Sequence, residues 1–246
     1  MTTILVTGGT GTLGRLVAER LRADGHEVRV LSRHSEPYAA DLRKGGDALD
    51  RAVEGVDTIV HCATTPTGGD ERAAAHLLAA ARWAGVRHFV HISIVGIERV
   101  DFPYYRVKLA VEKQIERSGV PWTILRATQF HDLVARLFDA SSKLPVMPVP
   151  AGVSDQPIEV AEVADRLAEL AQGAPAGRVQ DMGGPEVRTL ESLAHAYLKA
   201  TGRKRRVTNM PLGGKAYRGF TAGGHLTPEL AVGKGTFEEY MARRSR

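Results

Sequence analysis

Short apolar runs separated by helical stripes organise the first half of the chain. Ile4-Leu5-Val6 is continuously apolar and rich in β-branched residues, the pattern of a strand covered on both faces. Residues 12–23 follow with Leu13, Leu16, Val17 and Leu21 on one helical stripe, and Gly25 closes that helix. Further strands are predicted at 28–31, 57–62, 88–92 and 122–125, with helices at 71–83 and 105–117 between them. Strands alternating with crossover helices predict a parallel sheet covered on both faces, hence a doubly wound α/β core over residues 1–127.

Beyond Arg126 the rhythm loosens. Pro145, Pro148 and Pro150 keep 144–150 out of any helix. Helices are predicted at 160–172 and 190–200, the second capped by Thr189, with a strand at 179–182. The glycines between Gly213 and Gly224 read as a flexible stretch, and Thr236 with Glu239 reads as the capping box of a last helix. Residues 128–246 are therefore expected to form insertions and a small C-terminal lobe on the substrate side, one structural unit with the core.

Composition narrows the class. The chain has 246 residues, with 33 Lys+Arg against 28 Asp+Glu, a formal charge of +5. The basic clusters at 203–206 and 243–246 carry no interleaved aromatics and no nucleic-acid motif, so they read as solvated surface and no nucleic-acid partner is expected. The single cysteine, Cys62, forms no internal disulfide, which fits a reducing cytoplasm. No signal peptide is read at the N-terminus, and no apolar run approaches the roughly 18–20 residues of a membrane span. A small-molecule substrate is expected, with monomer and homodimer both open. No metal is expected: H-E-x-x-H is absent, and His88 and His91, three apart on a strand, face opposite sides. No G-x-S-x-G elbow surrounds any serine.

The informative chemistry starts at Thr7-Gly8-Gly9-Thr10-Gly11-Thr12-Leu13-Gly14. Its glycines lie between a strand and a helix, the context a dinucleotide site requires. Gly8 permits a tight turn, Gly11 lets backbone approach a pyrophosphate, and Gly14 lets the helix pack closely. The helix N-terminus then offers N–H groups and a positive dipole end to phosphate. The second strand ends in Leu31-Ser32-Arg33-His34, without the carboxylate that would hold a ribose 2′-hydroxyl. An arginine fork beside a hydroxyl suits a 2′-phosphate, so NADP(H) is expected over NAD(H), with Arg33 as main ligand and Ser32 and Arg15 as further candidates.

These residues resemble the short-chain dehydrogenase/reductase superfamily, and within it the atypical NmrA-like NAD(P)-binding proteins of Rossmann fold. The resemblance covers most of the chain. The run Ser118-Gly119-Val120-Pro121-Trp122-Thr123-Ile124-Leu125-Arg126 is its most specific part. It implies that Asp41 and Leu42 contact adenine, and that Cys62, Ala63 and Thr64 sit where the cofactor passes the fourth strand. It also implies that substrate choice is made after Arg126, with Gln129, Phe130 and His131 as the candidates.

Family enzymes use Ser, Tyr and Lys, the last two spaced Y-x-x-x-K. Tyr104 and Lys108 have that spacing, which puts them on one helical face. The ammonium of Lys108 is expected to hold the cofactor ribose and to lower the tyrosine pKa. Ser93 is the candidate for orienting a substrate oxygen. Pro103 leaves Tyr105 open as a substitute for Tyr104, and the asparagine of standard members is absent from the first 200 residues. The resemblance implies an NADPH-dependent oxidoreductase acting on a carbonyl, quinone or activated double bond of a small apolar molecule. Two alternatives stay open: a redox sensor that binds NADP(H) without turnover, and a sugar-nucleotide epimerase or dehydratase.

Overall fold

The computed structural model describes residues 1–65 and 68–244. In chain order its elements are β1 (Thr3–Thr7), α1 (Thr12–Ala23), β2 (Glu27–Leu31), α2 (Asp47–Val53), β3 (Thr58–His61), α3 (Asp70–Trp83) and β4 (His88–Ile94). Then come α4 (Pro103–Arg117), β5 (Trp122–Ala127), α5 (His131–Ser141), β6 (Val146–Pro150), β7 (Ser154–Asp155) and α6 (Val160–Gln172). The chain closes with β8 (Gly177–Arg178), β9 (Arg188–Thr189), α7 (Leu190–Thr201), β10 (Arg206–Met210), α8 (Lys215–Thr221) and α9 (Phe237–Arg244).

The central sheet is parallel and runs β2-β1-β3-β4-β5-β8. Outside β2, Ala39 makes a parallel bridge to Ser32, and Ala40 N–H donates to Ser32 O at 2.9 Å. This rudimentary edge strand leads directly into Asp41-Leu42. The order reverses between β1 and β3, because the chain leaves β1 for β2 on one side and returns to β3 on the other. A sheet of this topology binds ligands in the crevice at the carboxyl ends of those two strands.

The apolar runs explain the sheet's position. Leu5, Ile59, Phe89 and Ile124 are fully buried against Leu49, Ala74, Leu77, Val111 and Ile115 from α2, α3 and α4. The alternate residues Ile4, Val6, Val60 and Val90 are fully buried too, so these strands are covered on both faces. Burying each such aliphatic side chain contributes about 1.5–3 kcal/mol. On the other flank Arg20 of α1 pairs with Asp165 of α6.

Contacts divide the chain into two compact units. The first comprises Met1–Ser93, Pro103–Arg126 and Val163–Gln180, and the second Ile94–Phe102, Ala127–Glu162 and Asp181–Arg246. The chain thus crosses between them several times rather than once after residue 127. Residues 163–180 rejoin the first unit because α6 returns the chain to β8 at the sheet edge.

In the second unit, the proline-punctuated segment is the strand β6, paired in parallel with β10. Its core gathers Phe138, Met147, Leu193, Tyr197, Phe237 and Met241. The glycine-rich stretch expected to be flexible contains α8, anchored by Tyr217 Oη donating to Ala151 O at 2.6 Å. The predicted caps form: Thr189 Oγ1 accepts from Ser192 N at 3.1 Å, and Thr236 N donates to Glu239 Oε2 at 2.9 Å. Of the basic tail, Arg243 pairs with Glu159 and Arg244 with Asp139, while Ser245 and Arg246 lie outside the described residues. No helix among the described residues is long and apolar enough to cross a membrane.

Candidate active site

The turn after β1 is built on close backbone contacts. Gly8 has φ +66°, a left-handed conformation that glycine adopts without a Cβ penalty, and a Cβ there would lie 2.8 Å from Ala63 Cα. A Cβ on Gly14 would lie 2.4 Å from Gly8 O, so the first turn of α1 rests directly on the loop. Among the described residues no side chain caps α1, and its first turn carries no acidic residue. The N-terminus of a 12-residue helix therefore meets the crevice with its dipole uncompensated, and the residues present fit a dinucleotide pyrophosphate. Thr10, Gly11, Thr12 and Leu13 complete this turn.

The other predicted cofactor residues follow β2 and β3 in the chain. Cys62, Ala63 and Thr64 follow β3, with Cys62 N–H donating to Thr7 O at 3.2 Å. Burial pushes the Cys62 thiol up to about 12, which removes it as a nucleophile. Arg33 is exposed past the end of β2 and has no ion-pair partner among the described residues. Ser32 Oγ turns back onto its own loop and accepts from His34 N at 3.2 Å, whereas Arg15 is paired with Glu19 at 2.6 Å. Asp41 is held down to about 2 by hydrogen bonds from Arg43, and Leu42 is buried.

The two tyrosines have different environments. Pro103 opens α4, so Tyr104 lies in its first turn, where the missing proline N–H costs nothing. Tyr104 Oη lies 2.7 Å from Thr64 Oγ1, and Thr64 Oγ1 lies 2.5 Å from Asp70 Oδ2. Tyr105 is 3% exposed and belongs to the interior. Burial raises the Tyr104 pKa. The expected lowering of that pKa by Lys108 is not found.

Lys108 is itself the strongly perturbed group. It is 4% exposed, and burial depresses it to about 8 despite the nearby charges of Asp70 and Glu112. Its Nζ donates to Ile92 O at 3.1 Å and faces His91 Nε2 at 3.4 Å. Ser93, two residues beyond His91 on β4, is 3% exposed, and its buried Oγ has no hydrogen-bond partner among the described residues, so it can accept or donate to a bound group.

Gln129, Phe130 and His131 belong to the second unit. Gln129 and Phe130 are partly exposed where the chain bridges to Ile158. His131 is 1% exposed; its Nε2 donates to Gly235 O at 3.0 Å, and its ring stacks on Tyr240. Its present partners are those of a packed core residue.

Sequence reasoning missed Asp70, Thr7, His61 and His91. Asp70 has a local signal: it starts α3 and accepts from Thr65 N at 2.9 Å, like a helix-terminal carboxylate. The other three are brought together only by strand register.

With this geometry in hand, the comparisons show the family. The chain belongs to the NAD(P)H-binding family, whose model matches residues 8–173. It is 36% identical over 217 residues to (4-alkanoyl-5-oxo-2,5-dihydrofuran-3-yl)methyl phosphate reductase of Streptomyces griseus subsp. griseus, covering 81% of this chain and 74% of that protein. Two solved structures share the fold. The NADPH complex of the Escherichia coli NADPH-dependent quinone oxidoreductase superposes with a TM-score of 0.83 at 20% identity, over 99% of this chain and 100% of that one. Citrobacter sp. triphenylmethane reductase gives 0.80 at 20% identity, over 99% of each chain. The chain is an NAD(P)-dependent oxidoreductase of this family.

Proposed function

We propose that this chain is an NADPH-dependent reductase that acts on a carbonyl, quinone or activated double bond of a small, largely apolar molecule. The observation that carries the reading is the pairing, on one face of α4, of an accessible phenol at Tyr104 with a buried ammonium at Lys108. The bound nicotinamide supplies hydride, and the protein supplies binding and a proton. Arg33 and the uncapped α1 N-terminus hold the 2′-phosphate and pyrophosphate. Lys108 anchors the ribose side of the cofactor, Ser93 offers its unpartnered hydroxyl to the substrate oxygen, and Tyr104 is the proton donor.

The direction of the Tyr104 hydrogen bond follows from Asp70. A carboxylate only accepts, so the Thr64 hydroxyl proton goes to Asp70, and Tyr104 must donate to Thr64. A proton lost from Tyr104 to substrate is replaced at Oη from solvent at the half-exposed ring, and Thr64 fixes where the phenol waits. Three relationships support the reductase class: the name of the Streptomyces relative, and the fold shared with the quinone oxidoreductase and with triphenylmethane reductase.

The test is oxidation of NADPH against a panel of quinones, aromatic ketones and unsaturated lactones, with parallel binding titrations of NADPH and NADH. Acceptor-dependent oxidation with tighter NADPH binding is expected. Tight binding with no oxidation by any acceptor class would overturn the reductase reading in favour of a sensor.

A further inference from the structure

The polar side chains beneath Lys108 form a row set by the sheet itself. Thr7 on β1 is the register partner of His61 on β3, and His61 is the register partner of His91 on β4. All three are buried, at 0%, 2% and 0% exposure. Thr7 Oγ1 and His61 Nδ1 are 2.7 Å apart, and the His61 and His91 rings stack at 5.1 Å between centroids. The row ends at Lys108, 3.4 Å from His91 Nε2.

The proton positions on His91 follow from its partners. Nδ1 lies 3.3 Å from His61 O, a carbonyl that can only accept, so Nδ1 carries the hydrogen. Burial and the Lys108 charge hold the ring well below its usual pKa, so it is neutral and has one proton to place. Nε2 therefore presents its lone pair to Lys108. Ile92 O offers the second acceptor, and the ammonium is held at two points from the same strand.

We propose that His91 is a positioning residue for Lys108: its Nε2 lone pair, fixed in that tautomer by the His61 carbonyl, holds the lysine ammonium and keeps it charged inside the sheet–helix interface. This assignment rests on the reductase reading only for its catalytic consequence, since the hydrogen bonds belong to the protein alone. The groups facing Lys108 are Asp70 from α3, Glu112 from α4, His61 and Cys62 at the end of β3, and His91 from β4. Asp70 and Glu112 favour the ammonium by charge alone. Among these groups His91 is the one placed to accept directly from Nζ.

The experiment is a pH titration of 13C-lysine-labelled protein by NMR, with the Lys108 ε-carbon signal assigned by its loss in Lys108→Met. In the parent the signal is expected to titrate near pH 8, well below a free lysine. His91→Phe keeps a ring against His61 and removes both ring nitrogens, and the midpoint is expected to fall by at least about one unit, because the ammonium loses a charge-assisted hydrogen bond. His91→Gln restores an acceptor near the Nε2 position, and its midpoint is expected within about half a unit of the parent. Should His91→Phe not fold, His91→Leu serves as the variant without an acceptor. A parent-like midpoint in the acceptor-free variant, or an equal fall in His91→Gln, would overturn the assignment. The titration needs no substrate, so a failure of NADPH oxidation would overturn the reductase reading and leave this result to stand by itself.

Discussion

Tyr104 Oη donates to Thr64 Oγ1 at 2.7 Å, and this bond sets the resting state of the phenol. Burial weakens Tyr104 as an acid, and Thr64 holds the phenol in place as an acceptor. Tyr104→Phe is expected to lower kcat by roughly 10²–10⁴-fold, the usual contribution of a positioned general acid, with the Kd for NADPH unchanged. Thr64→Val is expected to lower kcat less, because the phenol loses the acceptor that fixes its position while keeping its own proton. Tyr105→Phe should leave turnover intact, as that ring is buried. Steady-state kinetics across pH, with fluorescence titration of NADPH, separates the three.

Arg33 is the residue we propose to govern the choice between the two nicotinamide cofactors. It stands exposed past β2, and no acidic side chain takes its place in Leu31-Ser32-Arg33-His34. Arg33→Ala is expected to weaken NADPH binding at least about tenfold and NADH binding little, as loss of a charge-assisted phosphate contact predicts. Arg15→Ala should matter less, because Arg15 is already paired with Glu19. Equal loss for both cofactors would assign Arg33 elsewhere.

Gly14→Ala tests the cradle by volume alone. The added methyl would sit 2.4 Å from Gly8 O and 2.9 Å from Gly9 Cα, and backbone lies on that side. Relief requires α1 to move away from the loop, which costs about 1–3 kcal/mol and pulls its N–H groups from the pyrophosphate position. Cofactor affinity is expected to fall more than 100-fold while the far-ultraviolet circular dichroism is unchanged.

The cradle was legible because its determinants are contiguous: strand, glycines and helix follow one another within residues 3–23. The Tyr104 and Lys108 spacing was legible for the same reason. What lay hidden depends on other parts of the chain. Thr7, His61 and His91 meet only because three parallel strands align in one register, which no local pattern states. The choice between Tyr104 and Tyr105 needed the phase of α4, which Pro103 sets by opening it. The expected effect of Lys108 on the phenol failed because burial acts on both groups, depressing the lysine and raising the tyrosine. The α8 helix was missed because its seven residues lie among glycines and are held by a tertiary bond from Tyr217.

Arg126 and Glu112 form a bidentate ion pair, with side chains 3% and 2% exposed and bonds of 2.8 and 2.5 Å. Glu112 is one helical turn beyond Lys108, so Arg126 also neutralises a carboxylate that favours the ammonium. Arg126→Met is expected to cost about 3–5 kcal/mol in denaturant unfolding, because it leaves a buried charge uncompensated. Adding Glu112→Gln should recover a large part of the loss, since the double variant buries no unpaired charge. Strict additivity of the two changes would show that the pair is not coupled.

Lys108 is a buried ammonium that costs the fold stability. Its folded pKa of about 8 lies below the unfolded value of 10.5, so between those values the unfolded chain binds more protons than the folded one. Stability from this residue is therefore lowest below pH 8 and rises as pH climbs toward 10.5. The cost at neutral pH is about 3 kcal/mol by linkage, at 1.36 kcal/mol per unit. Lys108→Met removes the charge and fills similar space, though it leaves Ile92 O without this donor. The variant is expected to be more stable than the parent at pH 7 by roughly 1–3 kcal/mol while losing turnover. The advantage should shrink steadily as pH rises past 8, because the parent then sheds the buried charge. Paired urea unfolding of parent and variant at pH 7, 8.5 and 10 measures it. A variant less stable than the parent at pH 7, or a difference independent of pH, would show that Lys108 is not buried as an ammonium.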